Sequence, residues 1–296
     1  AAQKTMRWIL ILIGAGLAML GCGTVVAIPE AFFGQHQASA AMNLGTAMFV
    51  LGALIAPTLC EVMLRSMGYR KMLGTLSFLC LIPAFVAIVF PRRAPSPLGR
   101  HASNSPIGPL VLASAGIFFF YAPIEGTISR WAPACFKDLD RGQSGCRSLL
   151  SAFWCAFFVS RLIAALLLHS KVMRVISSEW EPWVLMFCAG MVLVVFGNLM
   201  GTAKKGSAIV GFVFLALVMG PILPTLFGML YKVFYPHAGT AIGITFALGS
   251  IGGVLLGPIL TADANRAQSS QRALALPFAL GFLMVVAALL FALLMD

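Results

Sequence analysis

Acidic residues are scarce. The 296-residue chain has nine Asp and Glu, and all its charged residues together make up only 10%. A soluble globular domain carries about 25% charge, so an ordinary water-facing surface is excluded. Histidine occurs four times, at His36, His101, His169 and His237, each near a connector and too dispersed for a ligand set. No metal site is expected. A phosphate-cradling glycine loop is also missing: "GCG" lacks the order and context of a cofactor motif, and no serine sits in a nucleophile turn. The expectation is no cofactor, no catalytic residue and no enzyme. Zinc-finger spacing and basic tracts interleaved with aromatics are absent too. The formal charge of +11 is therefore no nucleic-acid footprint; its basic residues sit mainly in short connectors, where lipid headgroups are the natural partner.

Apolar residues fill the chain. They make up 60% of it, with a mean hydropathy of +0.97. A membrane-crossing helix needs about 17–25 such residues, and runs of that length lie near 8–28, 39–62, 71–90, 108–132, 149–170, 182–200, 207–230, 238–261 and 273–295. The fold class implied is an all-α polytopic membrane protein with about nine transmembrane helices, because strands in lipid would need barrel closure. The first run follows Lys4 and Arg7. It is about twice as long as a signal h-region and has no small-residue cleavage site behind it, so it reads as a spanning helix at the start of a truncated chain. The seven cysteines are mostly small buried hydrophobes. Cys135 and Cys146 flank one connector, and a disulfide between them stays open.

The longest break is "PRRAPSPLGRHASNSP" at 91–106. It divides the chain into residues 1–90 with three spans, a connector at 91–107, and residues 108–296 with six. Six helices built from two three-helix repeats form a common transporter half. On that count the second part is complete and the first is short of three helices.

Few polar residues enter the spans. Glu125 lies midway along 108–132, where a lone charge costs about 3 kcal/mol or more. The alternatives are a cavity-facing group that exchanges a proton or binds a solute, and a hydrogen-bonded tie between helices. Arg161 lies well inside the next span and needs acceptors: a carboxylate such as Glu125, a cluster of carbonyls, or a wet cavity. Arg130 and Trp131 fit snorkelling and an aromatic belt near a span end. Glu61 and Arg65 are spaced for an i,i+4 pair. Asn198 and Thr225 suit hydrogen bonds to solute hydroxyls. Tyr121, Phe153 and Trp154 suit stacking on a sugar ring, with ordinary packing as the alternative for each. Asn43, beside its connector, reads as a cap or conformational latch. Small residues and prolines punctuate several spans: Gly52 and Pro57; Gly220, Pro221 and Pro224; Gly249, Gly252, Gly253 and Pro258. Small residues let helices approach closely, and proline bends a helix and frees a carbonyl, so these positions serve packing or broken helices that line a cavity.

At these residues the chain resembles the major facilitator superfamily. "MGPILPTLFGMLYKVFYPHAGTAIGITFALGSIGGVLLGPIL" (219–260) resembles its tenth and eleventh helices. "YAPIEGTISRWAPACF" (121–136) with "SLLSAFWCAFFVSRLIAALL" (148–167) resembles the seventh and eighth helices of its fucose-permease-like sugar transporters. "AAMNLGTAMFVLGALIAPTL" (40–59) resembles the fifth. The resemblance implies a major-facilitator-like bundle covering parental helices four to twelve, with the first three and their charged signature connector missing. It implies secondary active transport of a small polar solute, a sugar moved by proton symport, in the intact parent at a bacterial inner membrane. The partners are then membrane lipids, the solute, protons and the missing amino-terminal helices. The competing expectations are a non-transporting binding or sensory module and an inactive transporter fragment. The family orientation puts Asp296 inside, which leaves twelve connector Lys and Arg outside and six inside. The positive-inside rule favours the reverse.

Overall fold

A computed structural model describes residues 16, 21, 23–29, 37–89, 107–139, 143–201, 205–235, 237–266 and 274–295. Among them only helix and turn are found. Residues 23–29 are helical. Eight helices follow: α1 (Ala38–Val89), α2 (Ile107–Leu139), α3 (Gln143–His169), α4 (Lys171–Gly201), α5 (Lys205–Met219), α6 (Ile222–Phe234), α7 (Ala238–Arg266) and α8 (Ala275–Met295).

Among the described residues, seven stretches are long and apolar enough to cross a membrane: Ala38–Ala56, Gly108–Gly126, Leu150–His169, Trp180–Met200, Ile209–Phe234, Ala238–Asp263 and Ala275–Met295. Each overlaps one of the nine runs read from the sequence. Most of the run at 8–28 lies outside the described residues, as does the connector at 91–106. The run at 71–90 is helical to Val89 and continues from α1 through a break at Gly68, whose φ of 75° and ψ of 166° leave helical space. Glycine adopts that positive φ without the Cβ clash an L side chain would meet.

The helices are apolar nearly all round, so their outer faces keep large hydrophobic residues exposed. Phe49, Leu166 and Val254 are 73%, 71% and 72% exposed. In water that would be a liability, whereas lipid tails solvate such faces as well as a core does. The buried side chains form one continuous apolar core that includes Tyr121, Phe157, Phe196, Leu215, Tyr231 and Phe291.

Packing follows the small residues. α2 packs most extensively on α7, where Gly252 lies against the carbonyl of Phe119 and Gly249 against the ring of Phe118. A Cβ at Gly252 would strike backbone, so only glycine permits that approach. Ser114 and Thr245, both buried, share a hydrogen bond of 2.9 Å across the same interface. α8 covers α2 and α4, while α1 packs on α3 and α6.

One span is interrupted. α5 and α6 together make the stretch Ile209–Phe234, yet the helix breaks at Gly220 and Pro221. Pro221 and Pro224 have no N–H, so the carbonyls of Leu217 and Gly220 lose their helical donors. The ladder stops at the bond from Gly220 N to Ala216 O and restarts at that from Thr225 N to Pro221 O, both 3.0 Å. Free carbonyls inside an apolar bundle need donors. What supplies them defines the site.

Candidate functional site

Arg161 projects from α3 into this break. Its Nε donates to the carbonyl of Gly220 at 3.0 Å, the carbonyl that Pro224 deprives of a partner. Its Nη1 donates to the carbonyl of Thr46 on α1, also at 3.0 Å. The guanidinium stacks 4.5 Å from the centre of the Phe157 ring, one turn back on α3, a favourable cation–π placement. Tyr121, fully buried on α2, donates its hydroxyl to the carbonyl of Met219 at 3.2 Å. The same hydroxyl faces the carboxyl of Glu125, one turn along α2, and the guanidinium of Arg161.

Of the acceptors the sequence offered Arg161, backbone carbonyls are the direct ones. Glu125 lies close enough to interact with it electrostatically and also faces Tyr121, without an ion pair within 4.0 Å between Glu125 and Arg161. Glu125 itself is half-buried. Tyr121, Glu125 and Arg161 thus converge from α2 and α3 on the broken helix. About 12 Å of α3 separates Arg161 from the helix end at His169, so the cluster lies well within the bundle.

A second polar layer lies toward that end, where α1 begins, α3 and α6 finish, and α4 enters its spanning stretch at Trp180. Ser39 donates to Glu181 at 2.9 Å. Lys232 donates to both carboxylate oxygens of Glu181, at 2.7 and 2.8 Å. Glu181 is 4% exposed and the Lys232 side chain 22%. α1, α4 and α6 are therefore tied through one carboxylate. Asn43 joins the layer by donating to the carbonyl of Ser39 at 2.9 Å and to the hydroxyl of Thr225 at 3.1 Å. Its Oδ1 is buried without a partner among the described residues. The backbones of α1 and α6 can approach here because residue 228 is glycine: a Cβ there would collide with the backbone of Ser39. Likewise Gly220 admits the hydroxyl of Ser160, where a Cβ would collide.

A cavity of about 480 Å³ opens beside this layer, between α3 and α4. Its walls are almost wholly apolar, formed by residues such as Leu168, Cys188 and Leu217, and Ser160, Thr225 and Glu181 are its polar contributors. Neither Glu125 nor Tyr121 lines it.

The other residues singled out from sequence are spread more widely. Trp154 is half-buried and meets Phe153 and Phe157 edge-on. Asn198 is exposed and donates to the carbonyl of Val194 in its own helix. A Cβ at Gly52 would meet no described residue within 4 Å, while one at Gly253 would touch Ala122. Pro258 sits inside α7 on an exposed face. Pro221 precedes the first turn of α6, and Pro224 is buried within it. Glu61 and Arg65 form the exposed i,i+4 pair expected, at 2.6 Å. The side chains of Pro57, Arg130, Trp131, Cys135 and Cys146, with the whole of His36 and His101, lie outside the described residues.

Glu181, Lys232 and Ser39 were missed as site residues. Glu181 sits in "SSEWEP", which reads as a connector because Pro182 follows it. The helix nevertheless runs through that proline and carries Glu181 into the bundle.

The chain is a polytopic all-α membrane protein, a helical bundle with seven membrane-spanning candidates among the described residues and a polar centre at the broken span of α5 and α6. No protein-family model matches the chain, and no curated protein matches it.

Proposed function

We propose that the chain belongs to a secondary active transporter carrying a small polar solute, in the likeness of the major facilitator superfamily. A sugar moved by proton symport across a bacterial inner membrane is the particular case. On this reading residues 1–90 and 108–296 belong to two halves that rock about a site near the bilayer midplane, and no enzymatic step is involved. The observation that carries the reading is the convergence of Tyr121, Glu125 and Arg161 on a proline-broken helix deep in the bundle. Discontinuous helices with freed carbonyls are how transporters present polar groups at membrane depth. Glu125 is the carboxyl of this cluster, half-buried and without a direct ion pair among the described residues. It is the coupling carboxylate in this reading.

The test is uptake by the intact protein in proteoliposomes under an imposed proton gradient. Glu125→Gln keeps shape and hydrogen bonding but removes titration. It should abolish proton-coupled uptake, normalised to folded protein, while exchange of solute across the membrane persists. Normal pH-dependent uptake by this variant would return Glu125 to a tie between helices. No uptake of any solute by the unaltered protein would favour a binding or sensory module, or an inactive fragment.

A further inference from the structure

The apolar cavity has chemistry that the proposed transport site does not use. Its mouth is rimmed by Ile163, Leu167, Trp180 and Val184, each exposed and each within a membrane-spanning stretch. It therefore opens sideways toward lipid. Among the described residues, Glu181 is the one charged residue in its wall. Trp180, 60% exposed, stands next to that carboxylate in sequence and shares the rim. A carboxylate in the wall, an exposed indole among the lining residues and apolar sides between them complement one kind of ligand. Pockets of some 300–1,000 Å³ suit small organic molecules, and indole is the preferred aromatic face for a cation.

Lys232 already holds Glu181, but from outside the cavity, since it is not part of the wall. Its side chain is 22% exposed and sits in the last turn of α6. A lysine there can swing its ammonium to the interface while its stem stays on apolar surface. We propose that this groove binds a lipophilic organic monocation, whose charged centre replaces the Lys232 ammonium on Glu181 while its apolar body fills the space between α3 and α4. Charge is conserved at the carboxylate, one cation leaving as another arrives. The exchange loosens the tie that Glu181 makes between α4 and α6, so occupancy of the groove is felt at the α1 interface through Ser39.

Tetraphenylphosphonium is the probe, with tetraphenylborate as its anionic counterpart of the same shape. Binding is measured by equilibrium dialysis on the intact protein in nanodiscs of zwitterionic lipid, with empty nanodiscs subtracted. The expected result is saturable binding of one phosphonium per protein and none of the borate. Lys232→Met, which removes the competitor, should tighten binding roughly tenfold. The double variant Glu181→Gln, Lys232→Met should lose it, as should Val184→Trp, which fills the groove and leaves both charges in place. Val184→Trp decides the matter if the charge variants fail to fold. Absence of saturable binding, equal binding of the borate, or binding that survives Val184→Trp would overturn the proposal. The readout needs no uptake, so its failure is distinguishable from failure of the transport reading.

Discussion

The Nε of Arg161 donates to the carbonyl of Gly220 at 3.0 Å, and Pro224 is the reason that carbonyl is free. A proline removes the donor four residues on, and an arginine from the neighbouring helix replaces it. A buried arginine in a membrane is costly unless its donors are met. Here one prolyl defect and one buried cation satisfy each other.

That reciprocity can be measured by a double-mutant cycle. Arg161→Leu alone orphans the carbonyl of Gly220, removes a second donor from that of Thr46, and should destabilise the protein by about 2–4 kcal/mol. Pro224→Ala supplies an N–H that can reach Gly220. In that background the same arginine substitution should cost about 1 kcal/mol less. Thermal unfolding in detergent, followed by intrinsic fluorescence, gives both numbers. Strict additivity would mean that the Gly220 carbonyl finds its donor elsewhere.

The need for acceptors at Arg161 was legible in the sequence, and so was the break at "MGPILP". Their meeting was not. Helix periodicity says nothing of which face of α3 turns toward which turn of a distant span, and a low-amphipathicity helix gives no face to read. Spans were legible because membrane thickness fixes their length. The Glu181 tie was hidden for a different reason: proline in "EWEPW" signals a helix start, whereas α4 begins at Lys171, eleven residues earlier than Pro182. Gly220 and Gly249 lie at close helix contacts, whereas a Cβ at Gly52, grouped with them on sequence, would meet no described residue within 4 Å. Glycine in an apolar run does not by itself distinguish a helix contact from a lipid face.

Two glycine substitutions separate those cases. Gly228→Ala places a methyl against the backbone of Ser39, which cannot move aside as a flexible side chain would. It should destabilise the α1–α6 contact by about 1–3 kcal/mol. Gly52→Ala meets no described residue within 4 Å and should be neutral or stabilising by up to about 1 kcal/mol through helix propensity. Melting temperatures of the two variants in the same detergent check the contrast.

Tyr121→Phe keeps the ring in the core and deletes only the hydroxyl. The Met219 carbonyl then loses its 3.2 Å donor. The expected loss is about 0.6–1 kcal/mol, the scale of buried hydrogen bonds in membrane bundles. If Glu125 is the coupling carboxylate, the same variant should also shift the pH dependence of uptake, because a neighbour of the carboxyl is gone. A stability change with an unaltered pH profile would confine Tyr121 to propping the broken helix.

The pair formed by Glu181 and Lys232 makes the last prediction. Both carboxylate oxygens are held by one ammonium, and Ser39 adds a third donor from α1. Removing one charge leaves the other without its partner in a nearly closed site. Glu181→Gln should therefore cost about 3 kcal/mol or more. Lys232→Met should be similarly costly in the absence of a replacing cation. The double variant leaves no charge to desolvate, and a buried pair can often be exchanged for neutral groups at little cost. It should recover most of the stability lost in either single change. Unfolding in detergent at fixed pH measures all four corners of the cycle. If the double variant is as unstable as the sum of the singles, the carboxylate matters mainly through its bond to Ser39. Ser39→Ala should then reproduce the loss with both charges still in place.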